Sequence, residues 1–145
     1  MEAGEKTTAV AVYCSDPRIA RVATSVNESF RKELGVDEVI ALPEPGGIDI
    51  FARPVCGRDD DIRREAFLIR FRIHMRLHRP QSVAIASHHG CLGHPGSDEQ
   101  QERDTRRAAK VLLVLLRERC SFEGPVRSGM LDECSNPGWS LRMLD

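Results

Sequence analysis

A chain of 145 residues is long enough for one domain with its own core and too short for two, so a single domain over 1–145 is expected. Its 41% hydrophobic and 30% charged residues are a globular composition, and 21 basic against 22 acidic residues leave no field that would select nucleic acid, an anionic membrane or a highly charged substrate. The start, "MEAGEKTT", lacks the basic and long apolar segments of a secretory signal, and no apolar stretch approaches the roughly 20 residues that span a bilayer; a cytoplasmic location is expected.

"TTAVAVYC" (7–14) is short, β-branched and apolar on both faces, the pattern of a buried parallel strand. A helical pattern follows, with Ile19, Val22, Ala23, Val26 and Phe30 at helical spacing and Gly35 suited to the helix end. "DEVIALP" (37–43) reads as a second strand, broken by the turn-rich "PEPGG". After a loop containing "RPVCGRDDD", the stretch from Ile62 to Leu77 reads as a long helix. Ile62, Ala66, Ile69, Ile73 and Leu77 line one stripe of it, and arginines occupy much of the rest.

"QSVAIAS" (81–87) is a third buried strand. Ser97 then suits the cap of a helix that opens on Asp98 and Glu99 and runs to about Arg119, with Ala108, Leu112 and Leu115 inward. "GPVRSGMLDE" (124–133) reads as a fourth strand, and the tail "NPGWSLRML" as a short edge strand. Strands alternating with helices predict an α/β fold: a three-layer, Rossmann-like parallel sheet of order 2-1-3-4 with helices on both faces. In such sheets ligands bind beyond the carboxyl ends of strands where strand order reverses. Here that crevice lies between the first and third strands, whose ends carry "YCSDPR" and "SHHGCLG".

Cys14, His88 and Cys91 would converge there. Two thiolates and an imidazole suit Zn2+, and five cysteines in a chain without a secretory signal are better read as thiols or ligands than as a disulfide framework. Three protein ligands leave a fourth tetrahedral position for water, whose pKa zinc lowers to about 7. Gly90 and Gly93 flank Cys91 and let the loop fold tightly. Asp16 can coordinate the metal or accept a hydrogen bond from its water, and it also suits an N-cap with Pro17 following. Arg18 can hold its carboxylate bidentately. In "PEPGG", Gly46 and Gly47 turn the chain and line the pocket. His89 is either a donor behind the ligands or a solvent-facing loop residue, and His94 is equally open. His74 and His78, four apart amid arginines, read as a solvated stripe, and Cys56, Cys120 and Cys134 have no ligand-like spacing.

C-x-D-x-R (Cys14, Asp16, Arg18) with a later H-x-x-C (His88, Cys91) resembles the zinc motif of the β-class carbonic anhydrases. "SHHGCLGHPGSDEQQ" with "PEPGG" is similar, more closely still, to a small subgroup of carbonic-anhydrase-like proteins. The resemblance runs from about residue 8 to 132, with "LPEPGG" where β-class enzymes usually carry arginine-asparagine-alanine-glycine. It implies zinc on Cys14, His88 and Cys91, reversible hydration of carbon dioxide to bicarbonate with Asp16 and Arg18 in the catalytic machinery, a pocket touching Gly46, Gly47, His89 and Gly90, and a homodimer. Two other readings stand beside it. One is a zinc hydrolase acting on another small electrophile, such as carbon disulfide or carbonyl sulfide. The other is a non-catalytic zinc protein with Asp16 as fourth ligand.

Overall fold

Strand β1 (Thr8–Cys14) is buried along its whole length, as expected of a strand with apolar side chains on both faces. The computed structural model describes residues 6–89, 96–133 and 139–145. Within them β1 pairs in parallel with β2 (Glu38–Glu44) on one side and with β3 (Ser82–His88) on the other. β4 (Val126–Glu133) joins β3 in parallel, and β5 (Trp139–Met143) returns antiparallel along β4. The order β2-β1-β3-β4-β5 contains the expected 2-1-3-4 core and the edge strand.

The pleat sends alternate residues of β1 to two cores. Val10 and Val12 meet Leu42, Val83 and Ile85 beneath three helices, α3 (Asp49–Ala52), α4 (Arg58–His78) and α5 (Asp98–Cys120). Ala11 and Tyr13 join Ala84, Ala86, Leu131 and Trp139 beneath α2 (Ala23–Leu34), which follows the single turn α1 (Pro17–Ala20). The expected first helix is therefore broken at Arg21 and Val22. Ile19, Val26 and Phe30 are buried as its spacing requires, and Gly35 closes α2 at φ +64°. α3 forms where a loop is expected, and its Ile50 and Phe51 plug the first core. α5 starts where expected, with the Ser97 hydroxyl accepting from the Gln100 amide.

The stripe on α4 requires a correction. Phe67, Leu68 and Phe71 form its buried face, whereas Ile62, Ile69, Ile73 and Leu77 are exposed. Each phenylalanine contributes roughly 1.5–3 kcal/mol by burial, so a pair of aromatic rings decides which way the helix faces. Phe67 and Phe71 also lie ring against ring, and Phe71 meets Phe122 edge-on.

β2 leads into the "PEPGG" turn, where Gly46 and Gly47 sit at φ +74° and +61°. Gly47 donates to the Glu44 carbonyl (2.9 Å), and a Cβ placed on it would stand 3.2 Å from the Cys14 amide nitrogen. The turn is thus pressed against the end of β1. Glu44, buried beside it, is paired with Arg70 of α4, and Arg63 donates to the Pro45 carbonyl (2.8 Å). Gly35 has the same handed backbone but open space where its Cβ would be. Gly35→Ala should therefore lower the unfolding free energy by about 1 kcal/mol, and Gly47→Ala by about 2–3 kcal/mol. Urea unfolding of the two variants checks this, and equal losses would show that the turn does not bear on Cys14.

Candidate metal centre

The site forms because β1 and β3 are direct neighbours. Their register runs to Val12↔Ile85, so both chains leave the sheet side by side, carrying Cys14 and His88 at their last positions. Cys14 is 7% exposed and His88 fully buried.

The state of His88 follows from its partners. Its Nδ1 lies 2.9 Å from the backbone carbonyl of His89. A carbonyl only accepts, so Nδ1 carries a proton, and in the neutral tautomer this leaves the lone pair on Nε2. That Nε2 is buried and has no hydrogen-bond partner among the described residues. The nearest acidic atom is Asp16 Oδ2 at 3.8 Å, beyond hydrogen-bonding range. A basic nitrogen left without a partner in a buried position costs about 1–3 kcal/mol unless something occupies it. Such an atom could hold a metal ion.

Asp16 caps α1, accepting from the Arg18 amide at Oδ1 (2.8 Å). The Arg18 guanidinium also grips it, Nη2 to Oδ2 at 2.9 Å and Nε to both oxygens at 3.2 and 3.3 Å. This clamp, opposed by partial burial and helped by the amide, lowers the Asp16 pKa to about 2. The carboxylate is therefore ionised throughout the neutral range, 3.8 Å from the open face of His88.

Three residues outside the motifs' assigned roles complete the surroundings. Trp139, brought back by the edge strand, packs edge-to-face on His88 at 5.5 Å, and the Arg18 guanidinium lies 5.9 Å from the centre of its ring. Gln101, buried on α5, donates to the His88 carbonyl at 2.6 Å, and Thr105 one turn later bonds the Ser87 hydroxyl. A signal for Gln101 and Thr105 exists in the sequence: they precede Ala108 and Leu112 on one helical stripe and are polar where that stripe is apolar. Trp139 carries no such signal, because only the antiparallel return of β5 places it.

His89 is not solvated as one reading had it. Its Nδ1 lies 2.8 Å from Asp98 Oδ1 and its Nε2 2.7 Å from Asp132 Oδ1. Burial works against its charge, but the two carboxylates outweigh that and raise its pKa. Arg142 extends the chain of charges from Asp132 to Glu102, both at 2.9 Å. His89 thus ties the start of α5 to β4. Gly47 stands against the Cys14 amide, as described, with Gly46 before it in the turn. Gly90, Cys91, Gly93 and His94 lie outside the described residues, as does Cys134. Among the described residues no three histidine, cysteine or acidic side chains form a complete metal cage by themselves.

Residues 4–119 match a family model described as "Putative carbonic anhydrase". The chain belongs to that family. Its fold is shared with the β-carbonic anhydrase isoform I of Trichomonas vaginalis, at a TM-score of 0.57 and 13% identity over 99% of this chain and 85% of that one. The carbonic anhydrase of Streptococcus mutans is similar too, at a TM-score of 0.52 and 14% identity over 100% and 87% of the two chains. At these identities the likeness is one of fold. No curated protein matches the sequence.

Gln101→Leu keeps the volume and removes the donor to the buried His88 carbonyl. It should lower the unfolding free energy by about 1–3 kcal/mol in urea titrations. A neutral result would mean that the end of β3 is held by other contacts.

Proposed function

We propose that this carbonic-anhydrase-like protein binds Zn2+ through Cys14, His88 and Cys91 and hydrates carbon dioxide reversibly to bicarbonate. One observation carries the reading: a buried His88 Nε2 with its lone pair free, beside an ionised Asp16, at the mouth between two strand ends. The donor set is chemically apt, since a neutral imidazole and thiolates are borderline-soft ligands that satisfy zinc. When bound, zinc supplies the Lewis acidity that makes water a nucleophile near neutral pH.

The remaining work belongs to the protein. His88 is oriented by its Nδ1 bond to the chain, which fixes the tautomer and aims Nε2 outward. Asp16 is the acceptor that orients the attacking water, and Arg18 holds that acceptor in place and ionised. The clamp also favours this role for Asp16 over that of a fourth ligand, because leaving it would break a bidentate charge-assisted pair. Trp139 gives the site an apolar wall against His88, which keeps bulk water off one side.

Protein made with ample zinc should contain about one ion per chain by elemental analysis, and stopped-flow measurement should show hydration of carbon dioxide. Asp16→Ala should retain the metal and lose roughly a hundredfold in kcat. Chelation should abolish activity. Because Trp139 is the only tryptophan in the chain, returning zinc to the stripped protein should also change its fluorescence. Absence of both metal and fluorescence response would sink the reading. Full zinc occupancy with no hydration would leave a metal protein of other function.

A further inference from the structure

His89 is the first residue beyond β3, whose register with β4 ends at His88↔Leu131, so the ladder stops one residue short of it. The next residue in sequence is Gly90, the type that restrains the backbone least. Yet the state of His88 turns on the backbone of His89, whose carbonyl lies 2.9 Å from His88 Nδ1. A peptide past the end of a strand and before a glycine can swing its carbonyl away unless something else fixes the residue. The side chain of His89 does so. Its Nε2 lies 2.7 Å from Asp132 Oδ1 on β4, and its Nδ1 meets Asp98 Oδ1, at the start of α5, as an ion pair at 2.8 Å. A carboxylate accepts, so Nε2 donates to Asp132. Asp132 is fixed in turn by Arg142 of β5, which also reaches Glu102 of α5, both at 2.9 Å. An imidazole is rigid, and fastening both nitrogens to two different elements fixes the ring and the Cα behind it.

We propose that His89 is a positioning residue for the metal centre: clamped between Asp98 and Asp132, it holds its own carbonyl on His88 Nδ1 and so sets the tautomer and aim of that ligand. The inference rests on the zinc reading for the role of His88 as a ligand. Partly exposed ion pairs contribute about 0–1 kcal/mol each to stability, so the larger consequence of this clamp is geometric. Gln101 treats the preceding peptide in the same way, donating to the His88 carbonyl at 2.6 Å. Two successive peptides at the end of β3 are thus each held by a side chain, and the ring of His88 is fixed between them. A histidine that binds metal through one nitrogen is commonly oriented by a partner on the other, and loss of that partner costs about 10–100-fold in affinity or activity. Here the partner is a backbone carbonyl, which no substitution removes. The side chain that steadies it is the part that can be changed.

Long-range proton–nitrogen NMR of the metal-free full chain, with isotopically labelled histidine near neutral pH, should find the His88 proton on Nδ1. His89→Phe keeps a ring of similar shape and removes both nitrogens. It should spread His88 over both tautomers and weaken zinc binding, read by competition with a chromophoric chelator, by roughly ten- to a hundredfold. Asp98→Ala removes one side of the clamp at an exposed position where folding is not at stake, and should shift both readouts in the same direction by less. Gly35→Ala, which strains the chain away from the crevice, should leave both at wild-type values. A wild-type His88 protonated on Nε2, or a tautomer unmoved by both His89→Phe and Asp98→Ala, would overturn the proposal. So would zinc held as tightly by His89→Phe as by the wild type, or a Gly35→Ala chain that shifts as far. A wild-type chain that takes up no zinc would sink the metal reading, and a tautomer that still moves in the variants would leave the clamp standing.

Discussion

The pairing of β1 with β3, with no strand between them, is the constraint on which the site depends. The chain runs from β1 through α2 to β2 on one side and then crosses back over β1 to enter β3. At that reversal the helices leave the sheet on opposite faces, and a crevice opens above the two carboxyl ends. Cys14 and His88 are each the last residue of a strand, so neither is placed by a flexible loop. Their elements are among the most deeply buried in the molecule, and side chains there inherit the rigidity of the sheet.

Several polar groups near that crevice are matched, although His89 Nδ1 and Glu44 Oε1 meet their partners only as ion pairs. The His88 carbonyl receives Gln101, the Ser87 hydroxyl meets Thr105, and His89 is held between Asp98 and Asp132. Burying such groups is favourable only when their bonds are made, and a network with one member missing is less stable than an apolar patch of the same shape. Against that background the unpartnered Nε2 of His88 is informative. It has no hydrogen-bond partner among the described residues although its ring is held by the His89 carbonyl.

Much of this was legible in the sequence, for identifiable reasons. Strands buried on both faces read as unbroken apolar runs, which is why 7–14 and 81–87 could be placed to within a residue and the order of the central strands inferred. Cys14, Asp16, Arg18 and His88 were legible because motif residues at strand ends need only the topology to bring them near one another. The misjudged direction of α4 has a different origin. That helix has two apolar stripes, one aliphatic and one built on Phe67 and Phe71, and periodicity reports their existence without saying which one meets the sheet. The break between α1 and α2 depends on how Ile19 and Val26 reach one core from a bent path. The contribution of Trp139 arises only from tertiary packing, the antiparallel return of β5, whereas Gln101 is marked in the sequence as a polar residue on an apolar stripe but gains its target only where α5 crosses the end of β3.

Counting acceptors shows how Asp16 can serve as helix cap and as partner of Arg18 with one acceptor to spare. An ionised carboxylate offers about four lone-pair directions. The Arg18 amide takes one on Oδ1, Nη2 takes one on Oδ2, and Nε is shared between the two oxygens, amounting to a third. One direction remains, on the carboxylate whose Oδ2 lies 3.8 Å from His88 Nε2. A single remaining acceptor suffices to receive one hydrogen bond from a water between those groups. It is poorly matched to an ion that would draw the oxygen inward and pull it from Nη2. The same arginine therefore makes Asp16 a strong cap and a permanent anion, and leaves it one further bond to accept.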